Sequence, residues 1–253
     1  MSNEKKILLL IVEGQSDQTT LENGLRKYIN EHYPNSNVRF DAIHGDITVF
    51  KKTNSPQKSI IPSAEIKKTI GNEVKDYLKK EKLKARDILG IAQVCDLDTA
   101  FGQNHLEIQK GCQFYHDTIK HKTYVESQSK LDHIEQVYKA KVANIKMLYS
   151  LPKFSISKIE IPYHLFYFGI DLEYALYHTT NNTDAYKTEQ SFKFDQQYGD
   201  DASLFKKQFD AIPAIDITYV GSWSEAKLVN HAYDQISNFK FIFDWIDELM
   251  LNR

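Results

Sequence analysis

The most constraining feature of the sequence is a run of six aliphatic residues near its start, residues 7–12. Unbroken β-branched and aliphatic runs of this length are typical of strands that are buried on both faces, as in a parallel sheet. A second apolar run covers residues 88–95, and residues 38–43 alternate like a third strand. Helical spacing of apolar residues predicts helices over residues 17–31 and 64–82. The order strand, helix, strand, helix, strand predicts an α/β unit with a mainly parallel sheet and right-handed crossovers.

The second half of the chain is less regular than the first. Its predicted elements are a long helix over 131–148, a strand-like stretch over 156–168 that Pro162 interrupts, a short helix over 171–178, a last strand over 215–220 and a long amphipathic helix over 224–251. No flexible linker separates the two halves. We therefore expect an α/β core over residues 1–100 and an α+β extension over residues 101–253 that packs on it.

The charge balance of the chain restricts how it can meet nucleic acid. Its 253 residues include 32 Lys and Arg against 34 Asp and Glu, a formal net charge of −2, which argues against a general polyanion binder. A hydrophobic fraction of 42% excludes a disordered chain. No apolar run approaches the ~18 residues of a membrane span. The two cysteines, Cys95 and Cys112, form no disulfide framework, which fits a reducing compartment and predicts a cytoplasmic protein.

Acidic residues follow two of the predicted buried strands at the point where each strand ends. Glu13 and Gly14 follow the first strand, with Asp17 a little further on, and Asp96 and Asp98 follow the third. The carboxyl ends of parallel strands meet at one edge of a sheet, where α/β proteins place their sites. Carboxylates brought together there repel one another, and a divalent cation relieves the repulsion. Since hard oxygen ligands suit Mg²⁺, the pattern predicts a metal site.

Each of these acids also has a simpler interpretation. Asp17, or Ser16 beside it, is placed to cap the helix that follows. An Asp-x-Asp segment after a strand is typical of a turn, and a single acid such as Glu13 is common at the end of an apolar strand. The combination of acids at two strand ends is more specific than any one of them, and it favours the metal site.

The two acidic segments resemble the motifs of a known fold. The segment IVEGQSD (residues 11–17) looks like the first motif of the Toprim fold, in which an apolar strand is followed by Glu-Gly and by an Asp that opens a helix. The segment AQVCDLD (residues 92–98) looks like the Asp-x-Asp motif of that fold. The resemblance covers about residues 5–100 and implies a Toprim-like, Rossmann-related architecture: a mainly parallel sheet with helices on both faces, here with a helical C-terminal extension.

A third segment resembles a narrower group within the Toprim superfamily. The segment FGIDLEYALYH (residues 168–178) looks like a strand-then-helix segment of the RloB-like and AbiLii-like proteins of bacterial phage defence and abortive infection, which carries an acid and a terminal histidine. Those proteins are also similar to this chain in length. The resemblance implies that Glu173 and His178 support the site.

The Toprim resemblance implies a role for each acid. Glu13 is implied as the catalytic acid or base or as a metal ligand, and Asp96 and Asp98 as residues that bind Mg²⁺ or Mn²⁺. Asp17 is implied as a further ligand, with Gly14 supporting the turn. The implied reaction is hydrolysis of phosphodiester bonds of DNA or RNA by a small nuclease in phage defence. No GxxxxGK[ST] segment is present, so any ATP-driven step would need a separately encoded ATPase or other defence partner.

Two other classes of function stay open at this point. The segment DLDT (residues 96–99) also resembles the first motif of haloacid-dehalogenase-type phosphatases, with Asp200 and Asp201 as the late acidic pair. That reading leaves Glu13 without a role. Alternatively, the chain is a non-catalytic interaction subunit whose Toprim-like domain assembles with a defence partner. The aromatic stripe of the predicted C-terminal helix is then either core or the surface of a homodimer or partner complex.

Lysines outside the acidic motifs have two interpretations. Lys79 and Lys80 end the second predicted helix, and Lys51 and Lys52 lie in a polar segment over residues 44–62 that is typical of an insertion or long loop. Such groups usually form a solvated face, which at a helix end also suits the negative end of the helix dipole. The functional interpretation is contact with the phosphates of a nucleic acid.

Overall fold

The computed structural model describes residues 6–45, 47–51, 59–180 and 183–252 of the chain, with residues 103 and 104 described by their backbone alone. The strands are β1 (Lys6–Val12), β2 (Val38–His44), β3 (Phe50–Lys51), β4 (Ser59–Ile60), β5 (Ile88–Asp96), β6 (Leu106–Ile108), β7 (Tyr115–Asp117), β8 (Lys122–Val125), β9 (Lys153–Ile156) and β10 (Ile159–Phe168). The three strands predicted in the first half are confirmed as β1, β2 and β5.

Helices occupy much of the remaining described chain. They are α1 (Gln15–His32), α2 (Ile66–Lys80), α3 (Gln128–Leu148), α4 (Leu172–Tyr177), α5 (Asp184–Tyr198), α6 (Ala202–Asp210), α7 (Tyr219–Ala226) and α8 (Phe241–Leu251). The first four confirm the helices predicted from apolar spacing. Helices α5 and α6 form within residues 179–212, for which the sequence analysis predicts no element. Of the helices in the described ranges, none combines the length and the apolarity needed to cross a lipid bilayer.

The central sheet has the strand order β2-β1-β5-β10-β9. Its first four strands are parallel, and β9 joins β10 as an antiparallel edge strand. The chain passes from β1 to β2 on one side and then crosses to β5 on the other side of β1. In doubly wound α/β sheets, this reversal of strand order opens a crevice at the carboxyl ends of the strands, where ligands bind. The predicted mainly parallel α/β sheet is confirmed.

Helices cover both faces of the sheet, as predicted, and each face has its own apolar core. On one face, α1, α6 and α8 pack through side chains such as Leu25, Phe205 and Phe243. On the other face, α2 and α7 pack through side chains such as Ile70 and Trp223. Strand β1 alternates its side chains between the two cores, which explains its unbroken apolar run.

The fourth parallel strand, β10, belongs to the predicted extension and yet completes the central sheet. It pairs with β5 from Tyr163 against Ile91 to Phe168 against Asp96. The predicted boundary at residue 100 therefore divides one sheet between two segments, and the core extends at least through β10. The sequence pattern marks β10 only as a strand-like stretch, because its neighbour in the sheet lies far away in the chain.

The predicted helix over residues 224–251 is wrong, because the chain is not helical between α7 and α8 apart from one short 3₁₀ turn. The Ser237 hydroxyl donates to the Tyr167 carbonyl at 2.7 Å, and the Tyr167 N–H donates to the Asn238 side-chain carbonyl at 2.8 Å. These side chains bond to the backbone of β10, and such bonds compete with helix formation. The apolar stripe is thus divided between two helices and the core between them.

The predicted strand over residues 215–220 is also wrong. The Asp216 carboxylate accepts hydrogen bonds from the Thr218 N–H and hydroxyl at 2.8 and 2.9 Å. Thr218 in turn caps α7 by accepting from the Gly221 N–H at 3.0 Å. The β-branched residues of this stretch therefore form a turn and the start of a helix.

Two small sheets form outside the central one. Strands β6, β8 and β7 make a three-stranded sheet, and β3 and β4 make a hairpin. The hairpin lies in the segment over residues 44–62 that the sequence predicts as an insertion or long loop, and Lys52 in that segment is outside the described residues.

Candidate active site at the carboxyl edge of the sheet

Strand β1 ends where Glu13 and Gly14 lead into α1, and Asp17 closes this turn. Gly14 is the N-cap of α1 with a φ of −126°, a conformation that any residue adopts. Its N–H donates to the Asp17 carboxylate at 2.8 Å, and a Cβ on Gly14 would lie 3.3 Å from that carboxylate. Glycine therefore leaves room for Asp17. The predicted N-cap at Ser16 or Asp17 is wrong, since Asp17 is the third helical residue and bonds back to the cap.

Strand β5 ends in the Asp-Leu-Asp segment, and the backbone is left-handed at Asp98 and Thr99, with φ values of 49° and 58°. Residues other than glycine rarely adopt this conformation, which costs of order 1–3 kcal/mol at each position. The buried Thr99 hydroxyl bonds to the hydroxyls of Thr123 at 3.1 Å and Tyr138 at 3.0 Å. This network holds the strained loop, and such strain concentrates at functional sites.

The end of β10 brings two further acids to the same edge. Asp171 is the N-cap of α4 and accepts a hydrogen bond from the Tyr174 N–H at 2.8 Å. Glu173 lies in the first turn of α4 and is buried. Two backbone hydrogen bonds, of 2.9 and 3.0 Å, join the loop after β5 to the loop after β10. The acids of these two loops are therefore held in one rigid unit.

Three strand ends thus bring six carboxylates together. We call these side chains the acidic cluster: Glu13, Asp17, Asp96, Asp98, Asp171 and Glu173. Asp96 is influenced electrostatically by Glu13, Asp17 and Asp171, so acids that are far apart in the chain interact across the crevice. Of the four predicted metal ligands, Glu13, Asp17 and Asp96 line one pocket. Asp98 shares an amine with Glu13, and the predicted supporting Glu173 shares another with Asp171, which the sequence does not predict.

Lys141 of α3 supplies one positive charge to the acidic cluster. Its side chain is 1% exposed, and its ammonium pairs closely with Asp98 and lies 3.4 Å from the Glu13 carboxylate. Partial burial opposes ionisation of Asp98, but the Lys141 ammonium outweighs it and lowers the pKa of that carboxyl. An amine thus lies between two side chains predicted to bind one metal ion.

Lys187 of α5 supplies a second positive charge. Its ammonium lies 3.0 Å from Glu173 and 3.4 Å from Asp171. Burial alone would lower the pKa of Lys187, but Asp96, Asp171 and Glu173 raise it. Lys187 is therefore a permanent cation within the acidic cluster.

Two ammonium groups do not balance six carboxylates, and the pKa values show the surplus of negative charge. Burial raises the pKa of Asp17 to about 7 and that of Asp171 to about 6, with Glu173 adding to both. Burial, Asp17 and Glu13 raise the pKa of Asp96 well above its usual value. A further positive charge at this edge would stabilise the ionised acids.

The donor chemistry of the acidic cluster fits Mg²⁺ or Mn²⁺, whereas its present arrangement is that of carboxylates paired with amines. Carboxylate oxygens are the hard ligands that Mg²⁺ prefers. Within the residues that the structure describes, no three His, Cys, Asp or Glu side chains are placed to hold one ion. The side chains that would hold it are Glu13, Asp96 and Asp98, with Asp17 beside them, after the Lys141 ammonium has moved from between two of them.

A polar pocket of about 350 Å³ opens over the acidic cluster. Glu13, Asp17, Asp96 and Lys187 all contribute to its lining, together with the start of α1. A larger depression of about 510 Å³ lies around residues 32–36, where α1 ends and the chain returns toward the amino ends of the strands. Unlike that depression, the pocket over the acidic cluster combines acids from the ends of β1 and β5 with the Lys187 amine, so we assign the chemistry to it.

Several predicted residues lie outside this pocket. His178 is an exposed C-cap of α4 with a φ of 56°. Helix α2 runs antiparallel to the strands, so Lys79 and Lys80 at its end lie at the amino edge of the sheet, opposite the acids. Lys51 in the β3–β4 hairpin pairs with Glu65 at 2.7 Å. None of these four predicted side chains lines the acidic pocket.

The late acidic pair of the phosphatase alternative has a structural role. Asp201 is the N-cap of α6 and accepts a hydrogen bond from the Leu204 N–H at 2.8 Å. Asp200 precedes it in the turn between α5 and α6. Neither lines the acidic pocket, whereas Asp184 from the start of α5 does.

Sequence reasoning missed both amines. Lys141 lies between Tyr138 and Ile145 on the buried side of α3, and a lysine among buried apolar positions is a usable signal, since lysine is almost never buried without a partner. Lys187 lies in a helix whose sequence has no apolar period, so nothing in the chain marks it.

The chain matches no protein-family model, no curated protein and no solved structure. A function is therefore argued from the acidic cluster and from the motifs that form it.

Proposed function

We propose that this protein is a Mg²⁺- or Mn²⁺-dependent nuclease of the Toprim type that hydrolyses phosphodiester bonds of DNA or RNA. The observation that carries the proposal is the convergence of acids from β1 and β5 where the strand order reverses. Glu13, Asp96 and Asp98 are the side chains that we assign to the metal, with Asp17 beside them. The proposed context is bacterial phage defence or abortive infection, supported by the resemblance of residues 168–178 to RloB-like and AbiLii-like proteins.

The charge of the acidic cluster favours a site for chemistry over a purely structural set of ion pairs. The six acids of the cluster share two ammonium groups, and three of these acids line a pocket that is open to solvent. Surplus charge in a partly buried place costs stability, so a structural cluster would be closer to neutral. A bound divalent cation would remove the surplus and would stabilise charge on a phosphoryl group under attack.

The chain's own residues have separate tasks in this proposal. Lys187 lines the pocket and stays charged, so it can donate hydrogen bonds to a phosphate oxygen. Asp17 accepts a hydrogen bond from the Gly14 N–H at 2.8 Å, so it fixes the turn after β1 beside the side chains assigned to the metal. Before an ion binds, the Lys141 ammonium lies 3.4 Å from the Glu13 carboxylate and restrains it at the end of β1.

The test is cleavage of labelled single-stranded and double-stranded DNA and RNA by the purified chain. We expect cleavage with Mg²⁺ or Mn²⁺ and none with chelator. Glu13→Gln and Asp96→Asn should each lower the single-turnover rate by about 10²-fold or more, the usual scale for such groups. The matched controls are Glu160→Gln and Asp76→Asn, two exposed acids that should keep the wild-type rate.

Four outcomes would contradict the proposal. Cleavage that persists in chelator excludes the metal, and undiminished cleavage by both variants excludes the acidic cluster. Metal binding without turnover of any nucleic acid supports the interaction-subunit alternative. Turnover of p-nitrophenyl phosphate that is lost in Asp96→Asn and kept in Glu13→Gln supports the phosphatase alternative.

A further inference from the structure

A second pocket lies between α8 and the turn that precedes α7, and it shares no lining residue with the acidic pocket. Its volume is about 250 Å³. The lining side chains that bear on its chemistry are His164, Tyr219, Phe241, Asp244, Trp245 and Glu248. It therefore combines four aromatic rings with two acids.

Helix α8 forms one wall of this pocket because of its residue spacing. Phe241, Asp244, Trp245 and Glu248 follow one another at i, i+3, i+4 and i+7, which places them on one face of the helix. Trp245 is 5% exposed, so most of its indole is fixed by packing, whereas both acids are exposed. The wall is thus apolar at its base and negatively charged at its rim.

His164 of β10 forms the floor between two aromatic walls. Its ring centroid lies 4.6 Å from that of Tyr219 and 5.1 Å from that of Trp245. The Tyr219 hydroxyl donates to the Leu165 carbonyl at 2.9 Å, which fixes this ring against β10. Burial lowers the pKa of His164, so the floor is a neutral ring near pH 7.

The two acids on the rim belong to no ion pair among the described residues. Across the described ranges, no Lys, Arg or His lies within ion-pair distance of Asp244 or Glu248. The aromatic surface already accepts an amine from the chain itself, since the Lys240 ammonium lies 5.5 Å from the centre of the Phe241 ring. Aromatic faces attract cations through the ring quadrupole, and nearby carboxylates add to that attraction.

We propose that this pocket binds an organic cation, an alkylammonium or guanidinium group that lies against Tyr219 and Trp245 and pairs with Asp244 and Glu248. The group is supplied either by a small free amine or by a Lys or Arg side chain of a peptide. Both sources offer the same chemistry, so the test separates them.

The test is titration of the full chain, followed by tryptophan fluorescence and by calorimetry. The probes are tetramethylammonium, N-acetyl-arginine amide and a seven-residue peptide with a central Arg. Their uncharged counterparts are neopentyl alcohol, N-acetyl-citrulline amide and the same peptide with citrulline in place of Arg. We expect each cation that binds to do so at least ~10-fold more tightly than its counterpart. A peptide that binds more tightly than the amide indicates a protein side chain, and equal affinity indicates a free small cation.

The decisive variant is Asp244→Asn with Glu248→Gln, since both positions are exposed and folding should be kept. It should weaken binding by about 10-fold or more. The exposed acid variant Asp76→Asn should bind as the wild type does. Equal affinity for charged and uncharged probes, unchanged binding by the double variant, or no saturable binding of any cation would each overturn the proposal.

Discussion

At the scale of single residues, Lys141 should contribute to stability, because its buried ammonium faces both Asp98 and Glu13. Lys141→Met removes the charge and keeps most of the volume. The two carboxylates then lose their partner. Because the Asp98 side chain is 42% exposed and is screened by solvent, we expect the free energy of unfolding to fall by about 1–3 kcal/mol. Urea denaturation in chelator measures this loss.

The same variant tests the metal assignment in another way. If Glu13 and Asp98 can share an ion, Mg²⁺ should restore part of the stability that Lys141→Met loses, because the ion replaces the ammonium. Lys139→Met, an exposed change on the same helix, should alter stability by less than ~0.5 kcal/mol. A Lys141→Met protein that Mg²⁺ does not stabilise would speak against ion binding between these two carboxylates.

Asp17 predicts a pH dependence of stability with a definite sign. Its pKa is about 7 in the folded chain against a usual 3.8, so its contribution is present below pH 3.8 and is lost as the pH rises to 7. Asp17→Asn cannot ionise but keeps an oxygen for the Gly14 N–H. The unfolding free energy of the variant relative to wild type should therefore rise between pH 4 and 7, by about 1.4 kcal/mol for each pKa unit.

The comparison needs a control at an ordinary carboxyl. Asp76→Asn, at an exposed position, should show a nearly constant difference from wild type over the same range in chelator. A flat profile for Asp17→Asn as well would mean that Asp17 titrates normally in the folded chain.

At the scale of secondary-structure elements, the small sheet of β6, β8 and β7 carries its own pH dependence. His116 of β7 is buried and bonds to the Thr123 hydroxyl at 2.8 Å. Burial lowers its pKa from 6.5 to about 4, although Asp98 acts in the opposite direction. Its contribution to stability is therefore present above pH 6.5 and is lost as the pH falls to 4, by a total of about 3 kcal/mol.

Acid titration of the unfolding free energy checks this prediction. His116→Gln should remove the fall between pH 6.5 and 4, while His133→Gln, an exposed change on α3, should keep it. Because Asp17 acts with the opposite sign in an overlapping range, the comparison is made as variant minus wild type. Equal slopes for wild type and His116→Gln would show that His116 is not held neutral by the fold.

How well each element follows from the sequence depends on where its burial comes from. Strands β1 and β5 are buried on both faces, so their apolar runs are visible in the chain, and the acids at their ends follow from the rule for parallel sheets. Helices α5 and α6 and the segment between α7 and α8 depend on contacts with distant residues. Ser237 and Asn238, for example, bond to the backbone of β10. Local secondary-structure propensity does not depend on this distant strand, so it cannot predict these bonds.

The residues of the candidate site also differ in how far the sequence predicts them. Glu13 and Asp96 are predictable because the strand ends themselves place them at the crevice. Lys141 and Lys187 reach the cluster from helices whose positions depend on the whole fold. The sequence therefore predicts a metal cation among the acids but does not show that two lysines of the chain lie there. Asp171 appears in the sequence as one acid of a short helix, and only the pairing of β10 with β5 brings it to the cluster.

At the scale of the whole molecule, the position of β10 predicts how the chain tolerates truncation. A fragment that ends at residue 100 lacks the strand that covers β5 and the helices α6 and α8 that cover one face of the sheet. The fragment should show no cooperative unfolding transition, whereas the full chain should unfold in a single cooperative transition. Thermal melts followed by circular dichroism distinguish these cases, and a cooperative melt of the fragment would restore the boundary at residue 100.

The amines at the carboxyl edge also suggest that the protein folds before it binds an ion. Lys141 and Lys187 reduce the repulsion among the acids as soon as α3 and α5 dock, so the chain can reach its native state before it has met any ion. Under the proposed function, the folded chain without an ion would be stable and inactive. Its activity would then depend on the supply of divalent ions.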